Sequence, residues 1–183
     1  EESGYIIYDD EQRKIFSVSH FDKSVLVINE YPFTEQDSPV KSKVEYLELA
    51  DAPSVSGKTI YNYRVFTGNK ENEETCAELQ IVEGLLPEVA GLLRNYQVVV
   101  SGQQVRMTDN VVNDIQSPCY FVDQIYNTGA YYEKGLPIQE WHSNERSKIL
   151  TTYKKVKVAT EKFTFPEDYR QFSVGADTKK SFD

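Results

Sequence analysis

The residue order predicts an α+β chain, mostly antiparallel β. The first half alternates apolar and polar residues with period two, as half-buried strands do. One stretch with helical spacing follows, and strand-like alternation resumes near residue 135. This order is not the repeating strand–helix pattern of a parallel nucleotide-binding sheet.

Strand one is GYIIYDD, Gly4 to Asp10, ending in an acidic turn. RKIFSVSH and KSVLVINE form the next pair, with Phe16 and Val18 sharing a face of the first and Leu26 and Ile28 a face of the second. VEYLELA alternates through Leu47 and Leu49, and KTIYNYRVFT carries Tyr61, Tyr63 and Val65 on one side. The polar turn GNKENEE leads to TCAELQIV, where Leu79 and Ile81 point together. LLPEVAGLLRNYQVVVSG then reads as an amphipathic helix over 86–101, with Pro87 in its first turn and Gly102 at its end. Val89, Leu92, Leu93, Tyr96, Val99 and Val100 make its apolar face, and the Val98–Val100 run weakens its last turn. Residues 103–134 show weak helical character around Met107–Ile115 and again at Tyr120–Tyr126. GLPIQEWHS, the long RSKILTTYKKVKV and EKFTFPEDYRQFSV are read as strands or extended chain.

The chain has 183 residues, enough for one domain that buries roughly 70% of its unfolded surface. Its net charge of −9 argues against nucleic acid and against anionic headgroups. No apolar run is long enough for a membrane-spanning helix. The sequence starts at Glu1 and is read as a mature form whose signal peptide has been removed. Aromatic residues reach 13%, a composition suited to half-buried sheet faces. Cys76 and Cys119 fit neither a zinc site nor a C-x-x-C pair, leaving two buried thiols or one disulfide.

Ala52 to Thr59 spells A-x-x-x-x-G-K-T, one residue from the loop that cradles nucleotide phosphates. Ala52 stands where the loop needs glycine, and Pro53 removes an N–H donor. The residues after Lys58 alternate as a strand, so the helix N-terminus that should hold phosphate is missing. A turn with Gly57 in a permissive conformation is the expected structure, and a nucleotide-binding enzyme through 52–59 the weakest alternative. Ser19 and His20 point to opposite strand faces, and no G-x-S-x-G elbow is present. His142, beside Trp141, reads as a strand-end surface residue. Asp9-Asp10-Glu11 and Glu71, Glu73 and Glu74 lack calcium-loop spacing and read as solvating turns. The residues single out no catalytic set, metal or cofactor.

Three stretches together carry a resemblance. Gly57, Tyr61 and Tyr63 open a paired strand, Gly135-Leu136-Pro137 opens a later one, and Phe163, or Phe165-Pro166, with Tyr169 closes the chain. Over residues 1–175 the series resembles a group of exported bacterial domains related to the lipoprotein carrier LolA and to LolB- and LppX-like proteins. The resemblance implies an antiparallel sheet curved into an incomplete half β-barrel, with one or more helices packed on its concave face. It implies a periplasmic or secreted, non-enzymatic domain over 1–175 and a Cys76–Cys119 disulfide; the residues after it, 176–183, read from their composition as a disordered polar tail. In the characterised relatives the concavity holds acyl chains. The residues this would set around a lipid or other apolar ligand are Phe16, Val18, Leu26, Ile28, Leu47 and Leu49. Tyr61, Tyr63, Leu79 and Ile81 continue the lining, and Val89, Leu92, Leu93 and Tyr96 complete it from the helix. An ordinary filled core would use the same residues. The alternative is therefore a cell-envelope structural or protein-interaction module, with exposed Tyr131, Tyr132 and Trp141 as interface anchors.

Overall fold

The computed structural model describes residues 3–34, 37–68, 72–108 and 117–174. Strands β1 (Gly4–Asp9), β2 (Lys14–Ser19) and β3 (Ser24–Asn29) form an antiparallel meander. Its turns are polar: the Asp9 carboxylate accepts the Gln12 backbone N–H at 2.9 Å, which closes the first one locally. Strands β4 (Ser42–Glu48), β5 (Ile60–Thr67), β6 (Glu74–Val82), β7 (Leu136–His142) and β8 (Ser147–Ile149) make a second, antiparallel sheet in chain order. Between β6 and β7 run helix α1 (Pro87–Thr108), a π-helix (Tyr120–Tyr126) and a 3-10 turn (Ala130–Glu133). A second 3-10 turn (Thr160–Phe163) precedes β9 (Arg170–Val174), which lies parallel to β3 in the first sheet.

The expected half-barrel is not formed. The strands divide into a four-stranded sheet, β1-β2-β3-β9, and a five-stranded sheet, β4-β5-β6-β7-β8, neither closed nor strongly curled. A barrel needs one continuous hydrogen-bonded ladder. Here β9 takes the free edge of β3, so β4 cannot continue that ladder. The connection between β3 and β4 contains Pro32 and Pro39, neither of which carries an N–H donor. The C-terminal segment is fastened to the first sheet by aromatic contacts. Phe165 meets Phe16 at 5.4 Å between centroids, and the Tyr169 hydroxyl lies 2.7 Å from His20 Nδ1.

Helix α1 is longer than the spacing predicts, running through Gly102 to Thr108; of the weak helix expected around Met107–Ile115, residues 109–115 lie outside the described residues. Pro87 occupies its first position as expected, and Glu88 and Arg106 complement the helix dipole at its ends. From Asn95 to Arg106 no residue is exposed, because sheet and loop segments cover the helix from several sides. Toward the first sheet, Asn95 donates to Asp10 at 2.9 Å and Tyr96 meets the Tyr8 ring edge-on at 5.8 Å. Val99 is wholly buried, so tertiary packing outweighs the weak helix propensity of the valine run. Gly102 is a contact point, not a terminator: a Cβ there would sit 2.5 Å from the Tyr31 carbonyl oxygen.

Two glycines of one helix therefore respond oppositely. Gly91 is exposed, and a Cβ built on it has no heavy atom within 4 Å. Gly91→Ala is expected to stabilise the chain by up to about 1 kcal/mol through helix propensity. Gly102→Ala is expected to destabilise it by roughly 1–3 kcal/mol through overpacking against Tyr31, despite the same propensity gain. Urea unfolding of both variants checks the pair; equal shifts of the same sign would show that the close approach does not matter.

Candidate functional groove

The inner face of the five-stranded sheet is set by register. Tyr46, Tyr63, Leu79 and Glu140 lie opposite one another across β4 to β7, and Val65, Ala77 and His142 form a neighbouring row. The π-helix packs on this face, with Val122 in the same core cluster as Leu79 and Ile81. Phe121 and Ile125 of the π-helix join Val105 of α1 in a second cluster. The π-helix thus links the sheet to the helix.

Two bonds hold it there. Cys76 of β6 and Cys119 form a disulfide. Beside it, His142 Nδ1 donates to Asp123 at 2.8 Å and Nε2 donates to Glu140 at 3.2 Å, all three side chains being almost fully buried. Lys148 of β8 adds an ion pair to Glu140 at 3.2 Å. Burial opposes charge on the imidazole, but the hydrogen bonds and charges of Asp123 and Glu140 prevail and push its pKa up to about 9. Burial likewise resists ionisation of Glu140, and His142 and Lys148 outweigh it, leaving the carboxyl below its ordinary value. With both ring nitrogens donating to carboxylates, His142 has no lone pair free to take a proton from a substrate. It is a clamp. It is also not the surface residue that its place beside Trp141 implied.

A line of tyrosine rings runs from β4 and β5 toward β7. Tyr61 stacks on Tyr46 at 4.7 Å, Tyr46 meets Tyr63, Tyr63 meets Tyr131, and Tyr131 meets Tyr132 at 4.6 Å. Tyr131 and Tyr132 are buried rather than exposed as the interface-anchor reading required, while Trp141 is exposed. Burial and the neighbouring Glu140 push the Tyr132 phenol up to about 12.

Tyr132 forms part of the floor of a groove of about 690 Å³. Leu86, Pro87, Val89 and Leu93 form one wall, while Leu136, Pro137 and Ile138 of β7 line the sheet side. The Glu140–Lys148 pair lies at the polar part of the floor, and Leu150, Tyr153, Lys154 and Lys155 form the far rim. Leu86 has a φ of +44°, a conformation that disfavours a branched side chain, at the entry to α1 and on the groove wall. Such backbone outliers gather at binding sites.

The far rim is the segment read from sequence as a long strand. Only Ser147–Ile149 pair with β7, and the Leu150 N–H adds one bond to Ile138. From there to Ala159 the chain runs with neither turn nor bend and joins no sheet. Tyr153 steadies it: its hydroxyl lies 3.2 Å from Ser56 Oγ, on the β4–β5 connection. That connection is the phosphate-loop look-alike. Val55 and Lys58 exchange both backbone hydrogen bonds around Ser56 and Gly57, at φ 52° and 74°, the geometry of a tight hairpin turn. Strand β5 follows, with no helix start.

Of the residues proposed as cavity lining, Val89 and Leu93 lie on the groove wall. Phe16 and Val18 pair with Val27 and Val25, whereas Leu26 and Ile28 pair with Ser17 and Ile15. The two pairs therefore occupy opposite faces of the first sheet and cannot line one concavity. Tyr61, Tyr63, Leu79 and Ile81 share the inner face of the second sheet, with Leu49 packed at its margin. Leu47 points to the outer face and is 63% exposed; Leu92 is exposed as well, and Tyr96 faces Tyr8. Sequence reasoning missed Leu136, Ile138, Leu150 and Tyr153, whose alternation signals a strand but not where the pairing stops. It also missed Asp123, 19 residues from His142, for which no local signal exists.

The fold defines the class: an α+β domain with two open sheets packed around a central helix. Comparison with known proteins finds no matching family model, no matching curated protein and no matching solved structure. The half-barrel and its acyl-chain cavity, which the resemblance to the LolA group implied, are thus matched neither by the structure nor by any relative. Among the described residues no cluster of three or more His, Cys, Asp or Glu could hold a metal ion, and no helix is long and apolar enough to cross a membrane.

The clamp gives two expected outcomes. The disulfide closes a sequence separation of 43 residues, so Cys76→Ser with Cys119→Ser is expected to cost about 4 kcal/mol of unfolding free energy, read by denaturant titration with and without reductant. An unchanged midpoint would mean that the bond constrains nothing. The His142 contribution has the opposite pH sense from a carboxylate. Its folded pKa lies above the ordinary 6.5, so its stabilisation is complete below pH 6.5 and lost as pH rises through about 9. Wild type should lose roughly 3 kcal/mol across that window, and His142→Gln should show a flat profile there. A wild-type profile that is flat from pH 6.5 to 9 would exclude a charged imidazole.

Proposed function

We propose that the chain is a non-enzymatic protein-interaction domain that receives an apolar, extended segment of a partner protein in the groove between α1 and β7–β8. The observation that carries this reading is the groove itself. At about 690 Å³ it falls within the size of real binding clefts, and aliphatic and tyrosine side chains make most of its walls. The inner face of the five-stranded sheet is occupied by the π-helix and the tyrosine line, which supports a filled core over an internal chamber. Export belongs to the same proposal. A disulfide persists in oxidising surroundings, and Cys76–Cys119 supports that placement.

Val89 is 41% exposed and lies on the groove wall, so Val89→Gln alters the groove without touching the core. Panning a displayed peptide library against the chain is expected to return apolar sequences. Their affinity should fall at least about tenfold in Val89→Gln and stay unchanged in Leu47→Gln, on the outer sheet face. Peptides that bind both variants like wild type, or no enrichment on folded protein, would sink the reading.

A further inference from the structure

We infer that residues 151–158 are a β-pairing edge for an acidic, extended segment of the partner, an inference that rests on the groove being a protein-interaction site. Every residue from 151 to 158 is exposed, and the segment runs without turn or bend. Its backbone makes no hydrogen bond among the described residues; the nearest ones are donated by Leu150 before it and Lys162 after it. A straight strand with its N–H and C=O groups unpaired is a template for another strand. Its length, at about 3.3 Å per residue, is enough to pair with a short peptide along the whole rim of the groove. Tyr153, Lys154 and Lys155 all line that rim, so the extended run borders the groove directly.

Charge selects the partner. Lys154, Lys155 and Lys157 make no ion pair or hydrogen bond among the described residues, in a chain whose net charge is −9. The acidic groups nearby do not neutralise them. Glu140 is already held by His142 and Lys148, leaving Glu88 as the remaining carboxylate on the groove wall. The same lysines oppose pairing with a second copy. Antiparallel self-pairing about the centre of the segment would set Lys154 opposite Lys155, a destabilising like-charge pair. A partner strand alternating apolar and acidic residues satisfies all three features at once. Its backbone pairs with 151–158, its apolar side chains enter the groove from one face, and its carboxylates on the other meet the lysines of that face, Lys154 lying on one side of the extended run and Lys155 with Lys157 on the other.

The test uses the full chain and fluorescent peptides in anisotropy titrations. The probes are a peptide alternating Val and Glu, the same peptide with Lys for Glu, and the Val/Glu peptide N-methylated at alternate amides. The Val/Glu peptide should bind at least about tenfold tighter than either of the others and weaken with salt. Lys154→Gln with Lys155→Gln and Lys157→Gln should remove the preference for acid while leaving the circular dichroism and Tm unchanged. Equal binding of the acidic and basic peptides, full binding of the N-methylated one, or no binding to folded wild type overturns the inference. So does self-association that the triple variant abolishes. If the peptides bind without regard to charge or methylation, yet Val89→Gln weakens all of them, the groove reading stands and the pairing edge alone falls.

Discussion

The attachment of the π-helix to the inner face of the five-stranded sheet is the constraint from which the rest of the architecture follows. A π-helix has poor intrinsic stability and is rarely sustained beyond a turn or so. Here it is held at one end by the Cys76–Cys119 bond and along its length by Asp123 reaching His142. One face supplies Val122 to the sheet core; another supplies Phe121 and Ile125 to the cluster with Val105 of α1. Without this linker the sheet would present its tyrosine-rich face to water and α1 would lose its support on that side.

The buried charges at this junction have a cost as well as a role. Carboxylates and an imidazolium taken out of water are unfavourable unless each finds a partner of opposite sign. Asp123, His142, Glu140 and Lys148 alternate in sign along the cluster, so each charge meets its opposite. Their geometry demands that β7, β8 and the π-helix sit in one relative position, a specificity that apolar packing alone would not impose. The Glu140–Lys148 end of the cluster forms the polar floor of the groove.

Helix α1 explains why the groove exists. Its second half is enclosed between the first sheet, the 31–33 segment and the π-helix, whereas its first turns extend past this cover. Val89 and Leu93 therefore look across open space toward β7 and the unpaired 151–158 run. The groove is the part of the helix–sheet interface that no described segment fills. Its rim remains unpaired because β8 ends after Ile149 and the chain must cross to the other sheet before β9.

Much of this fold is legible in the sequence. Period-two runs mark the strands from β1 to β7, Pro87 marks the start of α1, and the alternation after Lys58 shows a hairpin where the letters hint at a phosphate loop. These signals are local: they depend on which side chains follow one another and on what each backbone position tolerates. What they could not supply is partnership. Whether β3 pairs with β4 or with β9 decides between one curved sheet and two open ones, and that depends on contacts more than a hundred residues apart. The faces chosen by Phe16 and Leu26, the burial of His142 against Asp123, and the point where KILTTYKKVKV stops pairing are of the same kind. The sequence by itself determined the elements and the turns, because sterics and periodicity act over a few residues. Only the tertiary structure decided the sheets, the clamp and the groove, because these arise where distant segments compete for the same edge or the same buried face.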